Sequence, residues 1–183
     1  MDITADLAQT LADIRAIPTG PEPGRDELET MAALLAGFAA RHDEALTFKH
    51  FPLPGGSDDA MCSYEIHHED GSGLTLYLNA IRGGVDSVIH DHGTWAIIVG
   101  LSGQERNRLY QGDPSDGTLA LEREAIVCQG DTLVLETGHF HSIYTTEPAL
   151  QLHLYGQPID RMDGRRLADP ESGQTIYIAP SES

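Results

Sequence analysis

The sequence has few cysteines and no long apolar run. Only Cys62 and Cys128 occur among 183 residues, and we expect both to be reduced, buried thiols, although one disulfide between them is conceivable. No apolar run reaches the roughly 18 residues of a membrane span, and the N-terminus lacks a basic segment followed by an apolar one. These absences predict a cytoplasmic protein with no membrane partner.

Basic residues are also scarce. Eleven Lys and Arg stand against 29 Asp and Glu, which gives a formal net charge of −18 at pH 7. Because such a surface repels phosphate backbones, nucleic acid is not an expected partner. The same charge opposes anionic substrates at long range, so an anionic substrate would need a cation within its binding pocket.

The order of apolar patterns predicts one domain over residues 1–183, with a helical segment at 1–50 and a β region at 61–179. Apolar residues recur at helical spacing over 3–16, and the acidic run at 26–29 resembles a capping box at the start of a second helix. Short strands with turn residues between them are predicted at 74–80, 95–101, 104–111, 118–127, 132–135, 140–145, 149–155 and 175–178. Two leading helices followed by short strands predict an all-β, jelly-roll barrel.

Two histidines mark the centre of the β region. In a strand over 88–95, His90 and His92 would lie on one face and Asp91 on the other. Two neutral imidazoles presented in this way can bind one cation. Gly84 precedes them in a Gly-x5-His-x-His pattern.

A second spaced pattern, Gly-x5-Glu-x-Gly-x2-His, occupies residues 130–141. This pair of patterns resembles the two motifs of the cupin superfamily, whose double-stranded β-helix (jelly-roll) barrel holds a metal between its sheets. The resemblance implies that His141 joins His90 and His92 as the third metal ligand. His139 would share a strand face with His141, and the motif spacing selects His141.

The fourth ligand of many cupins, a glutamate shortly after the His-x-His, is missing, because residues 95–98 are Trp-Ala-Ile-Ile. Three neutral histidines leave a metal its full positive charge and open positions. This arrangement suits an ion that holds a substrate and dioxygen together, but it also suits zinc with a bound water. The histidines alone therefore leave the metal open.

A polar set follows on the strand predicted at 149–155. Gln151, His153 and Tyr155 share one face, and leucines occupy the other. If the leucines pack against the apolar core, the polar three point toward the metal cavity. His153 and Tyr155 then form a candidate acid–base pair behind the metal ligands.

These elements together resemble the thiol dioxygenases, namely cysteine dioxygenase and, more closely, the bacterial 3-mercaptopropionate dioxygenase type. The shared residues are His-Asp-His at 90–92 with Trp95, Gly-x2-His-x-Ile at 138–143, and Thr-Glu-Pro-Ala followed by His-Leu-Tyr within 146–155. The likeness covers about residues 61–165. It implies that the histidine triad holds Fe(2+), that a substrate thiolate and O2 meet there, and that sulfur is oxidised to a sulfinate. His153 and Tyr155 would be the catalytic pair.

The sequence departs from that family at three positions. The family's outer serine is replaced by Gln151, and the cysteine that cross-links to the tyrosine in mammalian enzymes falls at Ala96 or its neighbour, so no thioether can form. The early-strand arginine that binds the substrate carboxylate is absent from 61–66, where Tyr64 lies near its place. Arg165 is the alternative carboxylate partner, by a loose match to the mercaptopropionate type.

Arg82 is a second candidate anion binder, although an ordinary surface role suits it better. We include Gln151 and Trp95 with Arg165 as predicted substrate-binding residues, and for Trp95 the alternative is a place in the core.

The predicted function is therefore a non-haem Fe(2+)-dependent dioxygenase that oxidises a small thiol, such as cysteine or 3-mercaptopropionate, with O2. Two alternatives stay open: a cupin enzyme with another metal and a non-thiol substrate, and a non-catalytic cupin that only binds a ligand. The sequence does not identify the thiol. Cupin jelly rolls often pair through the edges of their sheets, so a homodimer is a further candidate assembly.

Overall fold

A computed structural model describes residues 2–20, 22–56, 59–69, 73–158, 165–169 and 174–178. Helix α1 spans Ile3–Arg15, and the Asp2 side chain caps it by accepting a hydrogen bond from the Thr4 backbone N–H at 2.9 Å. Helix α2 spans Arg25–Arg41 and begins after Gly24 with no side-chain cap. The predicted capping box at 26–29 is wrong by position, because these residues already lie in the helix, where their carboxylates favour its positive end.

The described strands form two antiparallel sheets. The strands are β1 Met61–His68, β2 Thr75–Ile81, β3 Ile89–His90, β4 Ala96–Ser102, β5 Gln104–Gln111, β6 Ala120–Cys128, β7 Thr132–Leu135, β8 Phe140–Tyr144, β9 Ala149–Tyr155, β10 Arg165–Asp169 and β11 Gln174–Ile178. One sheet has the order β1-β2-β9-β4-β7 and the other β11-β10-β3-β8-β5-β6. The two facing sheets and two leading helices agree with the predicted all-β jelly-roll architecture, but no pairing between described strands joins the sheets into a closed barrel.

The five-stranded sheet separates the helices from the space between the sheets. Its outer face carries Leu76, Leu152 and Ile97, which are fully buried in one apolar cluster with Leu35 and Phe38 of α2. Because side chains alternate along a strand, the intervening residues of β2, β4 and β9 face the second sheet. The helices therefore cover the outside of the sandwich, and the inner face is left for the polar residues of β9.

The strand predicted at 88–95 is shorter than expected. Only Ile89–His90 pairs as a strand, with β8 on one side and β10 on the other. Strand β10 is not among the predicted strands, because its sequence Arg-Arg-Leu-Ala-Asp shows no alternation of its own. The predicted end of the β region at 179 lies outside the described residues.

The two cysteines are free, as expected, but Cys62 is half-buried and Cys128 is exposed. The expectation of two buried thiols is thus wrong, because Cys128 ends β6 next to a tight turn at the protein surface. None of the described helices has the length and apolar character needed to cross a membrane.

We predict that substitutions in the helix layer lower the stability of the protein without changing metal binding between the sheets. Leu35→Ala removes a side chain that is 0% exposed, so the free energy of unfolding should fall by about 2–5 kcal/mol in urea denaturation. Leu34→Ala, at a partly buried neighbour on the same helix, should cost less. Metal binding should be unchanged in both variants. Equal losses in stability, or lost metal binding, would contradict this arrangement.

Candidate metal centre and cavity

Three histidines meet between the sheets. Strand pairing places His90 of β3 directly opposite His141 of β8, and His92 follows two residues after His90. One ring nitrogen from each of the three lies within 4.8 Å of the other two. His92 and His141 are 5% and 1% exposed, so two of the three ligands are fully enclosed by protein.

Hydrogen bonds fix which nitrogens face the centre. The His90 Nδ1–H donates to the Val88 carbonyl at 3.0 Å, and the His141 Nδ1–H donates to the Asn107 Oδ1 at 2.9 Å. The His141 Nε2 therefore carries a lone pair, and it lies 3.3 Å from the His92 Nε2. With the His141 Nε2 as acceptor, the His92 Nε2–H is the donor of this hydrogen bond. A shared cation fits the same position, since a metal takes neutral imidazole nitrogens as ligands.

Burial keeps the three imidazoles neutral. Loss of hydration lowers the pKa of His90 and lowers the pKa of His92 and His141 well below the ordinary value. Their mutual proximity lowers the pKa of His92 and His141 further, because two cationic rings would repel each other. The ligand nitrogens are thus available to a cation at neutral pH without first losing a proton.

The predicted acid–base pair lies on the facing sheet. The Tyr155 hydroxyl donates to the His153 Nδ1 at 3.0 Å, and the His153 Nε2–H donates to the Gln151 Oε1 at 3.2 Å. Burial raises the pKa of Tyr155 and lowers the pKa of His153 to about 3. At neutral pH the tyrosine therefore keeps its proton and the histidine is uncharged. The Tyr155 ring packs edge-on to the His92 ring, with centroids 5.1 Å apart.

A cavity of about 580 Å³ gives access to these residues. The triad, His153 and Tyr155 all line it, and Arg165 of β10 contributes a guanidinium. The Arg165 Nε is buried and has no hydrogen-bond partner among the described residues. Apolar side chains form part of the wall: Ile81, Val85, Val88 and Ile143. The cavity can therefore hold a small anion beside apolar groups, next to the histidines.

The neighbouring arginines have other partners. Arg166 donates through its Nε to the Asp91 Oδ2 at 2.7 Å and through its Nη1 to the Asp113 Oδ2 at 2.8 Å. Asp91 is 1% exposed and faces away from the cavity, as the strand alternation predicts. Arg82 donates to the carbonyl oxygen of Gly56 at 2.7 Å and so holds a loop. Of these three arginines, only Arg165 lines the histidine cavity.

Two predicted substrate-binding residues lie elsewhere. Trp95 belongs to the apolar cluster on the helix side of the sheet, and its indole packs so closely against Gly156 that a Cβ there would overlap the ring. Trp95 therefore lies in the core and outside the cavity lining, so it is not placed to contact a substrate there. Gln151 is 1% exposed and reaches His153, but it does not line the cavity. Tyr64 is likewise absent from the lining and donates to the Pro52 carbonyl.

Sequence patterns missed several residues of the site. Asn107 and Glu105 of β5 are fully buried, and Asn107 hydrogen-bonds to His141. Asn79 of β2 lines the cavity at 4% exposure, and its Oδ1 has no partner among the described residues. Their polar character within strands that face the sandwich interior was the available signal.

Comparisons with known proteins show a partial likeness in fold. No protein-family profile matches the chain, and no curated protein matches it. A cupin 2 conserved barrel domain protein from Leptotrichia buccalis is 17% identical over 56% of this chain and 43% of that chain, with a TM-score of 0.42. A cupin superfamily protein from Desulfitobacterium hafniense is 12% identical over 56% of this chain and 82% of that chain, with a TM-score of 0.42.

A conserved protein of unknown function from Streptococcus pyogenes is 20% identical over 56% of this chain and 78% of that chain, with a TM-score of 0.44. These likenesses extend over little more than half of the chain. What the site does therefore follows from its own residues.

The low pKa of His153 predicts a loss of stability in acid. Its pKa in the folded protein, about 3, lies below the ordinary 6.5, so the unfolded chain takes up the proton first as the pH falls. The stability is fully present above pH 6.5 and declines toward pH 3 by up to about 1.4 kcal/mol per pH unit from this group. In metal-free protein, His153→Gln should show a shallower decline than wild type.

Urea denaturation at about pH 7.5 and about pH 5 measures this difference. His50→Gln, at an exposed residue outside the cavity lining, is the control for the loss of a histidine side chain. Identical pH dependence in wild type and His153→Gln would show that His153 is not held neutral by burial.

Proposed function

We propose that this protein is an iron(II)-dependent dioxygenase of the cupin type that oxidises a small thiol to its sulfinate. The observation that carries the proposal is the convergence of three groups in one cavity. These are the histidine triad, the His153–Tyr155 pair and the Arg165 guanidinium. The sequence patterns shared with thiol dioxygenases support the choice of reaction.

His90, His92 and His141 would hold the metal, because their neutral nitrogens converge and no described carboxylate or cysteine joins the cluster. When bound, iron(II) would supply a centre at which the substrate sulfur and dioxygen meet. The reaction balances without a further reductant: RSH and O2 give RSO2H, the O–O bond is cleaved, and both oxygen atoms form bonds to sulfur. Four electrons pass from sulfur to oxygen.

The Tyr155 hydroxyl is the group of this chain best placed to hold a proton near the reacting atoms. It lines the cavity, it is protonated at neutral pH, and the His153 Nδ1 accepts its hydrogen bond. His153 is in turn oriented by Gln151. This sequence of hydrogen bonds fixes the direction of the Tyr155 hydroxyl, whose oxygen can accept a hydrogen bond from a substrate atom in the cavity.

Arg165 would orient the substrate through its carboxylate. Its Nε is buried and has no partner among the described residues, and a guanidinium forms strong hydrogen bonds with a carboxylate. The overall charge of −18 makes such a local cation necessary for an anionic substrate. Apolar wall residues such as Val85 and Ile143 would contact the carbon chain.

Oxygen consumption by anaerobically iron-loaded protein tests the proposal. The thiol panel is 3-mercaptopropionate, cysteine, cysteamine and mercaptosuccinate, and sulfinate is quantified in the same samples. We expect oxygen uptake with a matching amount of sulfinate for at least one thiol, and none with the zinc-loaded protein. Iron-loaded protein that binds a thiol without oxygen uptake would favour a ligand-binding role. Iron-loaded protein that neither binds nor oxidises any thiol would refute the thiol assignment.

Arg165→Gln should raise the KM of thiols that carry a carboxylate more than the KM of thiols that lack one. Removing the charged hydrogen-bond donor should cost about 1.5–3 kcal/mol in binding, which raises KM about 10- to 100-fold for cysteine and 3-mercaptopropionate. Cysteamine, which has no carboxylate, should lose little. Arg106→Gln is the matched control, because Arg106 is a surface residue paired with Glu124. An equal rise in KM for cysteamine would contradict the assigned role.

A further inference from the structure

Glu105 is a fully buried carboxylic acid that the proposed reaction does not use. It lies on β5, next to β8 in the six-stranded sheet, and is 0% exposed. Among the described residues, no arginine, lysine or histidine forms an ion pair with it. A buried carboxyl group without a cation is costly in an apolar interior, so its position calls for a physical explanation.

One oxygen of Glu105 is connected to the metal centre through a single residue. The Asn107 Nδ2 donates to the Glu105 Oε1 at 2.9 Å, and the Asn107 Oδ1 accepts from the His141 Nδ1–H at 2.9 Å. The first hydrogen bond fixes the orientation of the Asn107 side chain, and this orientation determines the second. The carboxyl oxygen sets the orientation of the Asn107 amide, so its carbonyl must face the His141 ring and hold the proton on Nδ1. The His141 Nε2 is thereby kept as an acceptor toward the centre.

Glu105 also interacts with Gln151, the partner of His153. The Glu105 Oε2 and the Gln151 amide nitrogen are both buried without a hydrogen bond of ordinary geometry. The two groups are nevertheless near enough that Gln151, like Asn107, lowers the pKa of Glu105, which burial raises to about 7. Gln151 in turn accepts from His153. Glu105 thus lies between the partners of His141 and of His153.

The positive charge of a bound metal offers an explanation for the buried carboxyl group of Glu105. Three neutral histidines would hold a divalent cation with no negative ligand among the described residues, since residues 95–98 lack the carboxylate that many cupins place there. A bound cation would favour the ionised form of Glu105, and this carboxylate, one residue removed from the ligands, would offset the metal charge through space and through the Asn107 hydrogen bonds.

We propose that Glu105 is a positioning residue for the metal centre, which acts through Asn107 to fix His141 and supplies the negative charge that the three histidines lack. The inference rests on the metal-binding part of the proposed function and not on the thiol reaction. It assigns a role to a residue outside both sequence motifs. It also explains why a carboxyl group is buried where no described cation of the protein pairs with it.

Metal affinity in wild type and Glu105→Gln tests this role, by anaerobic competition between the protein and a chromophoric chelator for cobalt(II) and iron(II). Glutamine has the shape of glutamate but no charge, so we expect the variant to fold and to bind metal about 10- to 100-fold more weakly. The Fe(III)/Fe(II) reduction potential should rise, because less negative charge stabilises the oxidised ion. Glu122→Gln, on the exposed face of β6, is the matched control and should leave both quantities unchanged.

A second variant shows whether Glu105 acts through Asn107. In an Asn107→Leu background the connection to His141 is lost, so Glu105→Gln should weaken metal binding much less than it does in wild type. If Glu105→Gln does not fold, Glu105→Asp serves instead. It keeps the charge but withdraws the oxygens from Asn107, and metal binding should again weaken.

The outcomes separate the two claims. Equal metal affinity and potential in wild type and the Glu105 variant would overturn the role of Glu105 while leaving the metal centre intact. The same loss of affinity with and without Asn107 would overturn the route through that residue. Failure of wild-type protein to bind either metal would refute the metal centre itself.

Discussion

The approach of three neutral imidazoles between two sheets is the constraint on which the rest of the site depends. Two of their Nε2 atoms lie 3.3 Å apart, a distance that charged rings could not keep. Burial removes the charge, and hydrogen bonds to Asn107 and to the Val88 carbonyl orient His141 and His90. The elements around this centre contribute in different ways. The helices cover one sheet, β9 supplies His153 and Tyr155, and β10 supplies Arg165.

Strand β10 shows how the surroundings hold the metal-binding segment in place. The short β3 pairs with it on one side, and Asp91 accepts from both the backbone N–H and the side chain of Arg166. The preceding residue, Arg165, lines the cavity. Adjacent arginines on one strand thus serve opposite faces, one fixing the backbone between His90 and His92 and the other available to a substrate.

The sequence predicted those parts of the molecule in which local pattern and final environment agree. Alternation over β9 placed Gln151, His153 and Tyr155 on one face, and the spacing of the two motifs selected the histidines that meet. It did not predict β10, whose strand depends on a partner distant in sequence, or the interior position of Glu105. Trp95 was predicted to lie in the core or the cavity wall, and the alternation that continues into β4 places it in the core on the helix side. For β10 and Glu105 the deciding contacts are non-local.

The most direct measurement on the metal centre is the stoichiometry of cobalt(II) bound by wild type and by His141→Ala in an anaerobic spectroscopic titration. A centre shared by three histidines predicts a single equivalent bound by the wild type, with the d–d absorption of nitrogen-coordinated cobalt, and loss of this tight site in the variant. Tight binding that survives the removal of His141, or wild-type protein that binds no cobalt, would contradict the claim that the three histidines form one metal centre.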